Sequence, residues 1–468
     1  MGNACVCDGW RLLPQLGTGG ESAMLAEARA IAARADFSEL SALGSGCRVE
    51  LAEERAITLK QLRAVQAQID RRCGAEGWAG WKGDALVPEK VNLYDVNKYV
   101  ILPATADRQC SFVELFASSP QRPRFFVSHW WGEPVRAFIF CLEAHATDHR
   151  LDEHAAYWVC AYANNQWSLT EAVVHDPALS SFNKAMALAE GTVSVLDEGG
   201  VVFTRVWCAF EVHVSLMHSK PGYSWSVYTA LEHSGRPHSL YAKRDAGYHA
   251  VGLTDGDAPD DLANGGPPGF IKRFREKAFP LGLARAALQL KIHTAEATVE
   301  SDRVHILNRM INSDGGADLD ATPPLEHPRL DELNAVLRSR FAAGSLRAAI
   351  EEGGETKDRF FAALKTGRMK QLALGFADCR EFVPEVAAQL VVAHLPSGLE
   401  QLEISHANHF NAGEALLTAL SKWLPEPEAS NLKVLKLRPL TGVDDTVKEL
   451  LVQANKKRAT PLDLSDTF

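Results

Sequence analysis

The clearest feature of the chain is a change in the period of its apolar positions. Over residues 21–73 they recur three and four apart. "ESAMLAEARAIAARA" and "ELAEERAITLKQLRAVQAQIDRRC" therefore read as helices, the second with a clear apolar stripe. "GAEGWAGWKG" (74–83) breaks that stripe. From about residue 91, short β-branched and aromatic runs alternate with helical ones. "RFFVSHWW" (124–131), "AYWVCAYA" (156–163), "GTVSVLD" (191–197) and "YSWSVYTAL" (223–231) read as strands. "PVRAFIFCLEAHA" (134–146), "SSFNKAMALAE" (180–190) and "TRVWCAFEVHVSL" (204–216) read as the helices between them, with Pro134 well placed at a helix start. The alternation predicts an α/β domain over 91–235 with a parallel, doubly wound sheet. A helical region at 21–90 and a flexible tail at 1–20 precede it.

Beyond 235 the reading is a linker and helical connector over 236–312. It contains "TDGDAPDDLANGGPPG" (254–269), whose aspartates lack the alternation and closing Glu of a calcium loop, then one long helical stretch from 270 to 312. In the last part, 313–468, a short motif recurs. "QLALG", "QLEIS", "VLKLR" and "PLDLS" place Leu372, Leu402, Leu435 and Leu462 at spacings of 30, 33 and 27, with helical segments between them. One strand and one helix per repeat resembles a long-repeat leucine-rich solenoid, here short and without a consistent asparagine after the strand. That resemblance implies a protein-recognition region.

Composition changes this picture little: 468 residues, 46% apolar and 23% charged, are ordinary for a globular chain of two or three domains. The net charge of −10 argues against a protein built to grip nucleic acid, and the short run "NKKR" (455–458) reads as a solvated helix end. Nine scattered cysteines form no C-x-x-C pair, so neither a metal site nor a disulfide framework is predicted, and a reducing, cytoplasmic setting fits. The start, "MGNACVC", resembles a dual acylation signal, with a myristoyl group on Gly2 and palmitate on Cys5 or Cys7, although Val6 stands where Ser or Thr is usual. Such anchoring would bring the chain to a membrane.

Candidate chemistry gathers at the predicted strand ends. Ser128, His129 and Trp130 end the first strand, Asn165 and Gln166 follow the second, and Asp197 ends the third. Ligands bind open parallel sheets at such ends. A Ser128–His129–Asp197 hydrolase is disfavoured because Ser128 lacks a G-x-S-x-G elbow. On the helix after the third strand, Glu211 stands one turn beyond Trp207 in an otherwise apolar stretch.

"FFVSHWWG", "YWVCAYANNQW", "TVSVLD" and "TRVWCAFEV" together resemble a divergent Toll/interleukin-receptor (TIR)-like domain over about residues 120–235. Phe126, Val127 and Ser128 match the family's F-[IV]-S strand, and Trp207, Cys208 and Glu211 match its W-C-x-x-E helix. The resemblance implies an intracellular signalling and interaction protein that self-associates, with no cofactor required. It also implies an alternative, since some members cleave the nicotinamide–ribose bond of NAD. Glu211 would then be the catalytic carboxylate of a NAD glycohydrolase, with Ser128, His129, Trp130, Asn165, Gln166, Asp197 and Trp207 lining the ligand.

Overall fold

The computed structural model describes residues 18–169, 174–217, 220–232, 244–245, 248–253, 276–312, 316, 318–367, 369–376, 379–406, 412–438 and 443–464. Gly2, Cys5, Cys7 and the linker at 254–269 lie outside these residues. The principal helices begin with α1 (Thr18–Ala32), α2 (Leu59–Arg72), α3 (Val135–Asp148), α4 (Ser181–Leu188), α5 (Val206–Met217), α6 (Leu281–Leu288) and α7 (Glu300–Ile311). They continue with α8 (Pro328–Glu352), α9 (Gly354–Lys365), α10 (Pro384–Gln389), α11 (Ala412–Trp423) and α12 (Asp445–Lys456). None of the described helices is long and apolar enough to cross a membrane. The chain divides into two compact units, residues 1–255 with 291–330, and residues 256–290 with 331–468.

The first unit is a mixed α/β sheet of seven strands: β1 (Ile57–Thr58), β2 (Phe125–Ser128), β3 (Ala156–Trp158), β4 (Gly191–Leu196), β5 (Ser224–Glu232), β6 (Arg244–Asp245) and β7 (Tyr248–Leu253). Their order is β1-β3-β2-β4-β5-β7-β6. The central four are parallel, in register Phe125↔Tyr157, Phe125↔Gly191 and Gly191↔Ser224. Every residue of β2 and β4 is buried, as expected for parallel strands covered on both faces. Helix α3 packs against β4, β5 and β7, while α4 and α5 pack against β2.

Three expectations change. The sheet is mixed, because β1 pairs with β3 and β7 pairs with β5 antiparallel, and β7 falls in the stretch read as a connector. The predicted second strand stops at Trp158, and Cys160–Ala163 is a helical turn. Its register explains this: β3 meets β2 only at Tyr157 and Trp158, so no neighbour extends it. The helix read from residue 50 starts at Leu59, because Thr58 accepts a bond from the Gln61 amide (3.3 Å) while the Gln61 side chain accepts from Thr58 (2.8 Å). This capping box frees Ile57–Thr58 to pair as β1.

The second unit holds a parallel sheet of β8 (Gln371–Phe376), β9 (Gln401–His406) and β10 (Val434–Arg438), ordered β10-β9-β8. Three of the four recurring motifs are these strands, and Leu372, Leu402 and Leu435 align across them. The fourth is not a strand over 461–464; instead the Asn455 side chain bonds both the N–H (2.8 Å) and the C=O (2.9 Å) of Leu462. The long helical stretch at 270–312 is broken, as Pro280 starts α6 and residues 289–299 separate α6 from α7. The "NKKR" run is only partly solvated. Arg458 is buried and donates to the carbonyls of Leu424 (3.1 Å), Ala429 (2.8 Å) and Leu432 (2.7 Å), gathering the chain after α11.

Arg458→Ala removes the donor from these three carbonyls and from that of Thr460, and is expected to destabilise this unit by about 3–5 kcal/mol. Lys457→Ala, on an exposed side chain, should stay within about 0.5 kcal/mol of wild type. Urea unfolding of the full chain compares the two.

Candidate functional site

The connection from β2 leads to β3 on one side of it, and that from β4 leads to β5 on the other. The carboxyl ends of β2 and β4 therefore form the sheet's topological switch point, where a crevice is expected. Ser128 ends β2 there, and Asp197 follows β4. The structure thus brings Ser128, His129, Trp130 and Asp197 into one region and adds Glu133, Cys160 and Cys208.

The region is closed and nearly uncharged. His129 is 2% exposed; its Nδ1 faces the Val127 carbonyl at 3.3 Å and its Nε2 faces Cys160 Sγ at 3.9 Å. Trp131 Nε1 donates to the same sulfur (3.4 Å), and Cys208 Sγ donates to the His129 carbonyl (3.7 Å). Burial pushes the imidazole pKa down to about 4, so it is neutral at physiological pH. Glu133 is also buried, and burial together with the nearby Asp197 charge holds its carboxyl well above the usual range. Its Oε2 finds no partner among the described residues, and neither does Ser128 Oγ.

Asp197 is half-buried, which raises its pKa, and its two oxygens accept from Gly199 N (3.0 Å) and Val201 N (2.8 Å). Ser128, His129 and Asp197 do not form a relay, since the His129 nitrogens face the Val127 carbonyl and the Cys160 sulfur and the Asp197 oxygens accept from Gly199 and Val201. Trp130 is half-buried and folds over Gly132, where an added Cβ would lie 2.3 Å from the indole.

The other predicted residues have different surroundings. Asn165 donates to the Gln109 carbonyl (2.9 Å) and accepts from Trp167 N (3.0 Å). Gln166 donates to the carbonyls of Ala161 (2.8 Å) and Asn164 (3.2 Å), closing the helical turn after β3. Trp207 is buried and stacks on Phe182, with ring centroids 5.2 Å apart.

Glu211 is 4% exposed, and its charge helps raise the pKa of Tyr223, which burial mainly pushes up to about 12. Tyr223 contacts Thr192 (2.7 Å), and Ser215 donates both to Thr192 (2.9 Å) and to the Glu211 carbonyl (2.7 Å). Thr192 is the second residue of β4 whereas Asp197 follows its end, about 16 Å away at a strand's rise per residue. Glu211 thus lies one helical turn beyond Cys208, which reaches the switch-point cluster, and its charge is felt by Tyr223 near the start of β4.

One opening was not foreseen. A cavity of about 370 Å³ lies between α4, α5 and α7, lined among others by Met186, Phe210, His213, Lys220, Tyr223 and Arg309. Its lining comes from distant parts of the sequence and carries no short motif. Glu211 does not line it. No family model matches the chain, and no curated protein or solved structure does either.

Glu133 gives this region a pH signature. A carboxyl whose pKa is raised on folding contributes stability that is fully present below its unfolded value of 4.5 and is lost as pH rises toward the folded value. Glu133→Gln keeps the shape of the neutral acid and cannot ionise. Its melting temperature should exceed that of wild type by a margin that grows from about pH 5 to pH 8. A constant margin in a thermal-shift series would contradict the assignment.

Proposed function

We propose that this chain is an interaction protein in which a TIR-like assembly domain is joined to a leucine-rich-like region that recognises a protein partner. Its setting is cytoplasmic, with acylation at Gly2 and Cys5 or Cys7 drawing it to a membrane. The observation that carries this reading is the polar, partly exposed face of the β8–β10 sheet. Parallel sheets are ordinarily covered on both faces. Here Leu372, Leu374, Leu402, Ile404, Leu435 and Leu437 are buried on one face. On the other, Gln371, Ala373 and Gln401 are exposed and Glu403, Ser405 and Lys436 are half-buried. A stack of in-register strands with a polar, partly exposed face is the surface that solenoids use for binding.

The test compares wild type with Ala373→Arg/Glu403→Arg/Lys436→Glu. Chemical crosslinking and quantitative mass spectrometry should recover a set of proteins with wild type that the triple variant loses at least about tenfold, a difference of about 1.4 kcal/mol. Equal recovery by both, with both folded, would remove the reading.

The alternative enzyme would need the Glu211 carboxylate on an opening that takes NAD, and its burial argues against that. Incubated with NAD over a range of protein concentrations, wild type and Glu211→Ala should both leave nicotinamide at the blank level. Release by wild type that vanishes in the variant would install the glycohydrolase instead.

A further inference from the structure

Beyond the switch point and the sheet face, the first unit brings His175 to His305 and Asp320, two side chains more than a hundred positions later, and all three are of types that can ligate a metal. His305 Nε2 lies 2.9 Å from Asp320 Oδ1, and His175 Nε2 lies 3.3 Å from the same oxygen. The three ligand atoms all fall within 4.8 Å of one another, and the two imidazole centroids are 4.4 Å apart. Four donors about 2.0–2.2 Å from a tetrahedral zinc ion are themselves separated by about 3.3 Å, close to these spacings. We infer that His175, His305 and Asp320 bind a divalent transition-metal ion of the zinc class, with solvent completing the coordination.

The surrounding residues hold this set in place. Helix α7 does most of it from one face. It supplies His305 itself, and one turn on it carries Asn308 and Arg309. Buried Asn308 donates to the carbonyls of Leu319 (3.0 Å) and Ala321 (2.6 Å), on either side of Asp320. Leu319 is itself buried, so the turn is anchored as well as bonded. Arg309 makes a two-pronged pair with Asp176, the residue after His175, with Nε donating to Oδ1 at 2.8 Å. Each of the other two ligands is thus fixed through a neighbour that α7 grips, the kind of support that orients metal ligands.

The donor chemistry narrows the ion. Two imidazoles and one carboxylate suit zinc better than calcium or magnesium, which take oxygen ligands. His175 and Asp320 are exposed, so an ion can enter, and water has access to the remaining position. Three protein ligands with an open site is also the arrangement of zinc centres that hold a reactive water.

The experiment uses the full chain stripped with chelator, titrated with zinc by calorimetry and with cobalt(II) by visible absorption. One equivalent should bind, and the cobalt spectrum should be that of a tetrahedral site. His305→Ala and Asp320→Asn should each weaken zinc at least about a hundredfold, and His175→Ala, on an exposed side chain, should do the same with the fold intact. Asn308→Ala, a positioning change, should weaken it by about tenfold. Cys379→Ser should leave binding unchanged, which separates this site from the Glu351, Cys379 and Glu381 cluster of the other unit. No zinc binding by wild type, or binding that survives in both histidine variants, would overturn the inference.

Discussion

The enclosure of helix α5 is the constraint on which the first unit is built. It touches β2 and β5 on the sheet, α4 beside it, and α7 from a later part of the chain. Every residue from Val206 to His213 is consequently buried, so the helix has no broad polar face. This explains why a stretch with helical spacing is apolar nearly all round. It also decides the surroundings of the two residues that stand out there. Trp207 becomes a packing surface for Phe182, and Glu211 is directed into the protein near Tyr223. One helix then contributes to both notable regions of the unit. Cys208 reaches the His129 carbonyl at the switch point, and Phe210, His213 and Val214 line the cavity at the other end.

Closure of the switch point follows from that packing. A crevice at strand ends is reactive when it is open and holds groups poised to exchange protons. Here burial drives His129 to its neutral form and Glu133 toward its protonated one. A cluster whose groups shed their charges avoids the large cost of burying ions. It also loses the acid–base capacity that the residue types suggest. The same residues would support chemistry only with the region opened, so their types alone do not define an activity.

Much of the fold could be read from the chain because its central strands are strongly patterned. β2, β4 and β5 are runs of β-branched and aromatic residues, and three of four leucine motifs became in-register strands. The edges could not be read that way. β1 is two residues long and exists because Thr58 caps the next helix, and at the other side β7 pairs antiparallel with β5 and carries the two-residue edge strand β6. Side-chain surroundings were harder still. The W-C-x-x-E spacing places Trp207 and Glu211 one turn apart, but exposure depends on α4 and α7, which a local pattern does not contain. Arg458 makes the same point in reverse: a basic run looks solvated until tertiary packing supplies three carbonyls for its guanidinium to bind.

The metal-binding set belongs to this last kind of information, and its place in the chain path gives it a mechanical meaning. The first unit is discontinuous: residues 291–330 return to it after a long excursion through the second unit. Their return is secured by the backbone pairing of Glu296 with Thr204 and Val206, and by α7 packing on α5. Arg309–Asp176 and the His175–Asp320–His305 contacts then tie the returning segment to residues 175–176, more than a hundred positions earlier. A connection that closes so long a loop restricts the unfolded chain, and the restriction grows slowly with loop length. An ion held by ligands from both sides of that closure would act as a crosslink at this junction. Removing the ion would then loosen α7 first, and with it the wall of the cavity that Arg309 lines.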